Sequence, residues 1–216
     1  MFRPIQSPHT AVTLVGAGEA STALLNSALH HAPCLVAADG GARLALEAGH
    51  EPHRVVGDFD SSADLEIEAA RRLHRPDQNF TDFEKCLAAT EAPLFLGVGF
   101  LGGRIDHQLA AFSALLKEPR PVVLLSSREL AFIAPPALSL TLPPESPISL
   151  YPLLPATLTT EGLRYPLDAA AVAPDGLTST SNHVASGPVR IVTDRHAVLV
   201  TLPLAALEAV LAALAG

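Results

Sequence analysis

The chain has 216 residues, which is enough for one large domain or for two smaller ones that each bury a core. Apolar residues make up 49% of it and charged residues only 17%, a composition typical of compact folds and not of disordered chains. The formal net charge of −8 argues against a nucleic-acid partner, because proteins that bind nucleic acids present basic surfaces.

The cysteines and the two chain ends indicate a cytoplasmic location. Cys34 and Cys86 match no metal-binding or redox spacing, which favours buried, reduced thiols. The first ten residues lack the apolar run of a secretory signal, so we expect no export. Glu208 is the only charged residue in the segment 197–215, but Pro203 divides this segment. We therefore expect a buried strand and a short helix there, with no membrane span.

The first part of the chain alternates short apolar runs with longer helical ones. This alternation is typical of a parallel sheet with crossover helices, and continuous apolar strands indicate that both faces of the sheet are covered. The predicted strands are TAVTLV, CLVAA, HRVVG, APLFLGV and PVVLLS, and the predicted helices are 19–31, 42–49, 62–74, 82–91 and 105–118.

The pattern changes near residue 127. Short runs of alternating apolar and polar residues, interrupted by proline and glycine, are typical of antiparallel strands. We therefore expect an α/β protein in which an N-terminal Rossmann-like parallel-sheet domain, residues 1–127, precedes a C-terminal antiparallel β-sandwich domain, residues 128–216. The predicted strands of the second domain are LAFIA, LSLTL, ISLYP, TLTTEG, VRIVTD and AVLVTL.

Five polar clusters follow the predicted strands of the first domain, at the edge where open parallel sheets bind ligands. Two of them are glycine turns, VGAGEAS at 15–21 and ADGGA at 38–42. In the second turn Asp39 ends a strand, and Gly40 and Gly41 lead into a helix, so backbone amides there can approach a phosphate. The same residues also fit plain turn geometry with an N-cap aspartate.

The third cluster, VGDFDSS, has Asp58 and Asp60 two residues apart directly after a strand. Neighbouring carboxylates repel each other without a cation, and Mg²⁺ prefers carboxylates together with phosphate oxygens. A helix cap would explain Asp60 but not Asp58, so the spacing favours a magnesium site. In the fourth cluster Thr81 and Glu84 have the spacing of a capping box, and Asp82 in the first helical turn lies at the same end of the sheet.

The fifth cluster, GFLGGRIDHQLAA, runs from a glycine loop into a helix. The planar guanidinium of Arg104 suits a phosphate, and Asp106 and His107 follow in the first turn. His107 has the chemistry of a base, although we expect a packed or capping residue. The carboxylates, the arginine and the glycine loops, without a P-loop or a Ser-His-Asp set, indicate metal-assisted phosphoryl transfer.

These motifs, taken as an ordered series, resemble the thiamine pyrophosphokinase family. The matching segments are ADGGA, GDFDS, DQNFTDFEK, LGGRIDH, GLRYPL at 162–167 and STSN at 179–182. The resemblance implies an α/β catalytic domain followed by a β-sandwich that binds thiamine and forms a homodimer, with substrate sites between subunits. It also implies ATP and thiamine as substrates and Mg²⁺ as cofactor.

The resemblance implies a role for each matching residue, and Ser181 and Asn182 would reach the site of the partner subunit. The implied catalytic residues are Asp58, Asp60, Thr81, Asp82, Arg104 and Asp106, of which Asp58, Asp60 and Asp82 would hold the metal. The implied ATP-binding residues are Asp39, Gly40, Gly41 and Arg104, and the implied thiamine-binding residues are Gln78, Ser181 and Asn182.

The chain departs from the family at two points. Asn79 stands where the family often has an aspartate, which removes one negative charge near the metal. The chain has no tryptophan, so Tyr165 and His183 become the candidates for a ring that stacks on thiamine.

The expected reaction is an in-line attack of the thiamine hydroxyl on the β-phosphorus of ATP, with AMP as leaving group. Asp106 or Asp82 would accept the hydroxyl proton. Three other functions fit parts of the pattern: a diphosphokinase for another hydroxymethyl heterocycle such as a pterin, a non-catalytic nucleotide-binding module, and a metal-dependent phosphohydrolase. GLRYPL and STSN favour thiamine over the pterin.

Overall fold

The structure is a computed structural model that describes residues 5–7 and 10–214. The chain divides into two compact units between Ser127 and Arg128. The N-terminal unit has parallel strands with helices, and the C-terminal unit has antiparallel sheets, so the predicted fold class is confirmed.

Among its described residues, the N-terminal unit contains three sets of parallel strands, the smallest of which pairs Ile5–Gln6 with Thr90–Glu91. Its strands are β1 (Ile5–Gln6), β2 (Val12–Val15), β3 (Cys34–Ala38), β4 (Arg54–Gly57), β5 (Arg72–His74), β6 (Thr90–Glu91), β7 (Phe95–Val98) and β8 (Val122–Leu125). Its helices are α1 (Thr22–His31), α2 (Gly41–Glu47), α3 (Asp82–Ala89) and α4 (Ile105–Lys117). Strands β2, β7 and β8 pair in parallel, strands β3, β4 and β5 do the same, and β3 lies beside β2.

The core of this unit follows from the apolar strands that the sequence predicted. All residues of β2, β7 and β8 are buried, as expected for strands covered on both faces. The capping box at α3 is also present: Glu84 N donates to Thr81 Oγ1 at 3.3 Å, and Thr81 N donates to Glu84 Oε2 at 2.9 Å. This cap fixes the residue at which α3 begins and so places Asp82 in its first turn.

One predicted helix is wrong. Residues 62–74, all within the described part of the chain, form turns, a short 3₁₀ helix at Ala69–Arg71 and then β5. Leu73 pairs with Val56 of β4 and is only 7% exposed, so the end of this segment is part of the sheet. The helix propensity of DLEIEAARRL is therefore overridden by pairing with β4.

The C-terminal unit consists of two antiparallel sheets and a final helix. Its elements are β9 (Glu129–Ile133), β10 (Ala137–Leu140), β11 (Pro147–Pro152), β12 (Ala156–Glu161), β13 (Ala170–Val172), β14 (Ser179–His183), β15 (Val189–Thr193), β16 (Val198–Pro203) and α5 (Leu207–Leu214). One sheet has the order β10-β15-β12-β13, and the other has the order β14-β11-β16-β9. Alternating burial along β12 and β15 matches a sheet with one covered face.

Strand β16 and helix α5 occupy the apolar segment near the end of the chain, as predicted. Among the residues that the structure describes, none of the helices combines the length and apolarity needed to cross a bilayer. Cys86 is buried, Cys34 is half-buried, and both are free thiols.

Candidate active site

Three carboxylates converge at the ends of β3 and β4. Asp39 directly follows β3, Asp58 directly follows β4, and Asp82 begins α3. One oxygen from each of the three lies within 4.8 Å of the others. This spacing fits a hard divalent cation, which binds several carboxylate oxygens. We call these three residues the acid cluster; it includes two of the three predicted metal ligands, and its third member is Asp39 rather than Asp60.

Asp39 is the buried member of the acid cluster, with 1% of its surface exposed. Its carboxylate accepts hydrogen bonds from Ser62 Oγ and, at 3.2 Å, from Ser61 N. Burial raises the pKa of Asp39 above its ordinary value, and the two hydrogen bonds oppose this shift. A Cβ at Gly57 would lie 2.7 Å from the Asp39 Cβ, so position 57 must be glycine for Asp39 to lie here.

Asp58 is held by neighbouring donors. Gln78 Nε2 donates to Asp58 Oδ2 at 2.7 Å, and Asp60 N donates to Asp58 Oδ1 at 3.3 Å. These bonds hold the pKa of Asp58 below its ordinary value, and the bond from Gln78 has the largest effect. Gln78 thus lies beside the acid cluster, whereas Asp60 is exposed and accepts a hydrogen bond from Ser61 Oγ at 2.9 Å.

Lys85 is a buried cation at the acid cluster, and no role was predicted for it from the sequence. It is 7% exposed, and its Nζ donates to Asp82 Oδ1 at 2.8 Å. Three ionised carboxylates and one ammonium leave two negative charges, which is the charge that Mg²⁺ neutralises. The sequence signal for this contact is the spacing of Asp82 and Lys85, because residues three apart lie on the same face of a helix.

Arg104 and Asp106 form an exposed ion pair at the start of α4. Arg104 Nη2 donates to Asp106 Oδ2 at 2.6 Å, and Arg104 Nε donates to Asp106 Oδ1 at 3.1 Å. The arginine holds the pKa of Asp106 below its ordinary value, and the carboxylate holds that of Arg104 above its own. His107, also exposed, donates its backbone N–H to Asp106 Oδ1 at 3.0 Å. Both residues thus lie at the start of α4 as predicted, they form an ion pair that was not predicted, and they are outside the group of three carboxylates.

The glycines of ADGGA lie where β3 leads into α2. A Cβ at Gly41 would come within 2.1 Å of the Val15 carbonyl oxygen, so Gly41 allows α2 to pack against the end of β2. Packing therefore accounts for Gly41, whereas Gly40 is half-buried and precedes the helix as its N-cap.

The predicted thiamine-binding residues of the C-terminal unit lie on β14. Ser181 is exposed, whereas Asn182 is only 1% exposed. Asn182 Nδ2 donates to the carbonyl of Tyr165 at 2.8 Å and to Ser179 Oγ at 3.2 Å. Asn182 Oδ1 accepts from the backbone N–H groups of Tyr165 at 3.1 Å and His183 at 2.9 Å. These four bonds use the full hydrogen-bonding capacity of the amide, so Asn182 fixes the backbone at Tyr165.

Comparisons with known proteins place both units in one class. Residues 25–124 match the family model described as "Thiamin pyrophosphokinase, catalytic domain". Residues 140–198 match the one described as "Thiamin pyrophosphokinase, vitamin B1 binding domain". One match lies within the α/β unit and the other within the unit of antiparallel sheets, so the chain falls in a class of two-domain proteins. The chain belongs to the thiamine pyrophosphokinase family, which confirms the resemblance seen in its motifs.

Individual relatives agree with this assignment. Thiamin pyrophosphokinase 1 of Caenorhabditis elegans is 30% identical over 157 residues, which cover 64% of this chain and 65% of the relative, just under two thirds of its length. Thiamine pyrophosphokinase 3 of Oryza sativa subsp. japonica is 30% identical over 189 residues, 69% of this chain and 70% of the relative. The crystal structure of thiamin pyrophosphokinase from Geobacillus thermodenitrificans shares the fold, with a TM-score of 0.72 and 23% identity over 90% of this chain and 97% of the other.

Proposed function

We propose that this protein transfers the diphosphate group of ATP to the hydroxyl of thiamine and so forms thiamine diphosphate and AMP. The observation that carries the proposal is the acid cluster of Asp39, Asp58 and Asp82 in a chain of this family. Such a cluster suits a reaction in which charge develops on phosphate oxygens, because a bound cation can neutralise that charge.

Mg²⁺ is the proposed cofactor. The three convergent oxygens and the two uncompensated charges beside Lys85 fit a divalent cation. Asp58, Asp82 and Asp39 would hold it, and Asp60, exposed on the same turn, would act with them at the triphosphate. When bound, the ion supplies Lewis-acid neutralisation of the phosphate charge.

Arg104 and Asp106 are the proposed groups at the transferred phosphates and at the thiamine hydroxyl. The exposed Arg104 guanidinium can exchange the carboxylate of Asp106 for a phosphate. Each of these anions can accept two hydrogen bonds from the planar guanidinium group. Asp106, once released, accepts the proton of the attacking hydroxyl. Asp82 is less suited to this step because Lys85 already holds one of its oxygens.

The Thr81 hydroxyl is hydrogen-bonded to Glu84, so the proposed role of Thr81 is to fix the start of α3 and thus the position of Asp82.

Gln78, Ser181 and Asn182 are the proposed thiamine-binding residues. Gln78 lies against Asp58, and Ser181 is exposed for contact with a ligand. Asn182 contributes by holding the backbone at Tyr165, whose side chain is 65% exposed.

The proposal includes ATP binding by Asp39, Gly40 and Arg104, with Gly41 shaping the turn. It also includes a homodimer with Ser181 and Asn182 in the partner's site, and a cytoplasmic location in keeping with two free thiols.

Product analysis tests this function. Protein incubated with Mg²⁺, ATP and thiamine should form thiamine diphosphate and AMP in equal amounts, as followed by chromatography. Formation of ADP, release of inorganic phosphate without thiamine, or equal turnover of a hydroxymethylpterin would contradict the proposal. Nucleotide binding that needs neither Mg²⁺ nor thiamine, without turnover, would instead indicate a binding module.

Substitutions connect the activity to the acid cluster. Asp58→Asn and Asp82→Asn should each lower the rate by about 100-fold or more, since each removes charge where the phosphates are neutralised. Asp64→Asn is the matched control, because Asp64 is an exposed carboxylate of the same unit and pairs with Arg43 at 2.8 Å. Unchanged rates in both cluster variants would remove the metal site from the proposal.

A further inference from the structure

Phe59, between the two aspartates of the turn after β4, has a backbone conformation that is rare for an aromatic residue. Its φ is 68°, in the left-handed region that residues with a bulky side chain seldom adopt. Strained conformations of this kind persist only where the surrounding structure fixes them, and they concentrate at functional sites. The contacts that hold Phe59 in this conformation therefore indicate which part of the site the residue supports.

Both ends of the turn are anchored to other elements. Before Phe59, Gly57 pairs in parallel register with His74 of β5. After Phe59, Ser61 N donates to the carboxylate of Asp39 at 3.2 Å. The chain bends between these anchors, and the left-handed conformation of Phe59 lies at this bend.

The Phe59 ring is itself held from β5. It stacks on the ring of His74 with centroids 5.8 Å apart and planes inclined by 22°. The guanidinium carbon of Arg72 lies 5.2 Å from the centroid of the Phe59 ring, a favourable cation–π arrangement. Arg72 is held in turn, because its Nη2 donates to the carbonyl of Leu65 at 3.0 Å. The segment that was wrongly predicted as a helix therefore supplies the support for the turn that carries Asp58.

We propose that Phe59 is a positioning residue that fixes Asp58 and thereby makes the acid cluster selective for Mg²⁺ over the larger Ca²⁺. This inference rests on the proposed function, because it takes the acid cluster as the metal site. Mg²⁺ requires short bonds in a near-octahedral arrangement, whereas Ca²⁺ accepts longer bonds and a flexible site. A turn held by the Phe59 stack keeps the Asp58 oxygens in place, and a loose turn lets the carboxylates spread around the larger ion.

Two variants and one control separate positioning from simple stability. Phe59→Gly keeps access to the left-handed backbone but removes the ring, and His74→Ala removes one partner of the stack. Ala169→Gly is the matched control, because Ala169 also has a positive φ, 43°, and lies in the C-terminal unit. Each full-length protein is titrated with Mn²⁺ by electron paramagnetic resonance, and bound Mn²⁺ is then displaced with Mg²⁺ or Ca²⁺.

The ratio of the Mg²⁺ and Ca²⁺ affinities is the decisive quantity. Phe59→Gly should lower the preference for Mg²⁺ by roughly tenfold, as expected when support for a metal ligand is lost, and His74→Ala should lower it by less. Ala169→Gly should leave it unchanged. An unchanged ratio in both stack variants, with or without a lower melting temperature, overturns the positioning role and leaves the proposed function intact. Failure of the unsubstituted protein to bind Mn²⁺ overturns both the inference and the proposed metal site.

Discussion

Each carboxylate of the acid cluster has its own hydrogen-bond donor. Ser62 bonds to Asp39, Gln78 bonds to Asp58, and Lys85 bonds to Asp82. These donors bond to carboxylate oxygens, so each acidic side chain is held in place before a cation binds. At the scale of single residues, the site therefore depends on the donors as much as on the carboxylates.

Lys85→Met should lower both stability and activity. The substitution leaves Asp82 without its ammonium partner and should cost about 1–3 kcal/mol, the range for an unsatisfied, partly buried hydrogen-bonding group. The rate of AMP formation should fall at least about tenfold, because the acid cluster then carries an extra negative charge.

Lys117→Met is the control, since Lys117, the chain's other lysine, is exposed and pairs with Glu84. The Lys117 side chain is 67% exposed, so its pair with Glu84 should contribute less than about 1 kcal/mol. Urea unfolding and AMP release measure the two effects, and equal losses in both variants would show that Lys85 has no special role.

Asn182→Ala should act through the backbone that the amide holds. Two backbone N–H groups and one carbonyl lose their partner, so the free energy of unfolding should fall by about 1–3 kcal/mol. KM for thiamine should rise, because the segment around Tyr165 is no longer fixed. Thr180→Ala, at an exposed position of the same strand, should change neither quantity. A higher KM for thiamine with unchanged stability would instead indicate that Asn182 contacts the ligand directly.

At the scale of elements, the sequence predicted the strands and helices whose formation depends on the local pattern of apolar and capping residues. The buried strands β7 and β8 are apolar throughout, β2 is apolar except for Thr13, and the spacing of Thr81 and Glu84 predicts the cap of α3. Strand β14 was not predicted, because its polar residues STSNH show no regular alternation; the register of its pairing with β11 also shifts between Ile148 and Leu150. The helix predicted over 62–74 failed because strand pairing is a tertiary property.

The candidate site likewise combines features that depend on local sequence pattern with features that depend on tertiary packing. Spacing after strands correctly indicated that Asp58 and Asp82 share an edge of the sheet. It could not show that Asp39 joins them, because this depends on a φ of 37° at Asp39 and on the absence of a side chain at Gly57. Lys85 was overlooked for a related reason, since burial of its ammonium group depends on packing and not on the capping pattern around it.

Thr81→Ala tests whether the cap of α3 serves the site. Loss of the N-cap should lower the free energy of unfolding by about 1 kcal/mol. The rate of thiamine diphosphate formation should also fall, because Asp82 and Lys85 both lie in the first turns of this helix.

Ser21→Ala provides the matched control for this helix cap. Ser21 caps α1 by accepting a hydrogen bond from Leu24 N at 3.2 Å, so its loss should cost similar stability. The rate should remain unchanged in this variant. If Thr81→Ala loses no more activity than Ser21→Ala, the cap has only a structural role.

At the scale of the whole molecule, the two units carry different parts of the proposed chemistry. The acid cluster and the Arg104–Asp106 pair belong to the N-terminal unit, and the segment with Ser181 and Asn182 belongs to the C-terminal unit. The family's catalytic-domain model matches within the first unit, and its vitamin B1 binding model matches within the second. Under the proposed function, nucleotide chemistry belongs to the first unit and recognition of thiamine to the second.

The most direct test of the central claim is the Mg²⁺ dependence of AMP release, measured with ATP and thiamine in excess. Asp39→Asn, Asp58→Asn and Asp82→Asn should each raise the half-saturating Mg²⁺ concentration by about tenfold or more, because each removes a charged oxygen from one site. Asp64→Asn should leave it unchanged. Wild-type Mg²⁺ dependence in all three cluster variants would contradict a metal site at the acid cluster.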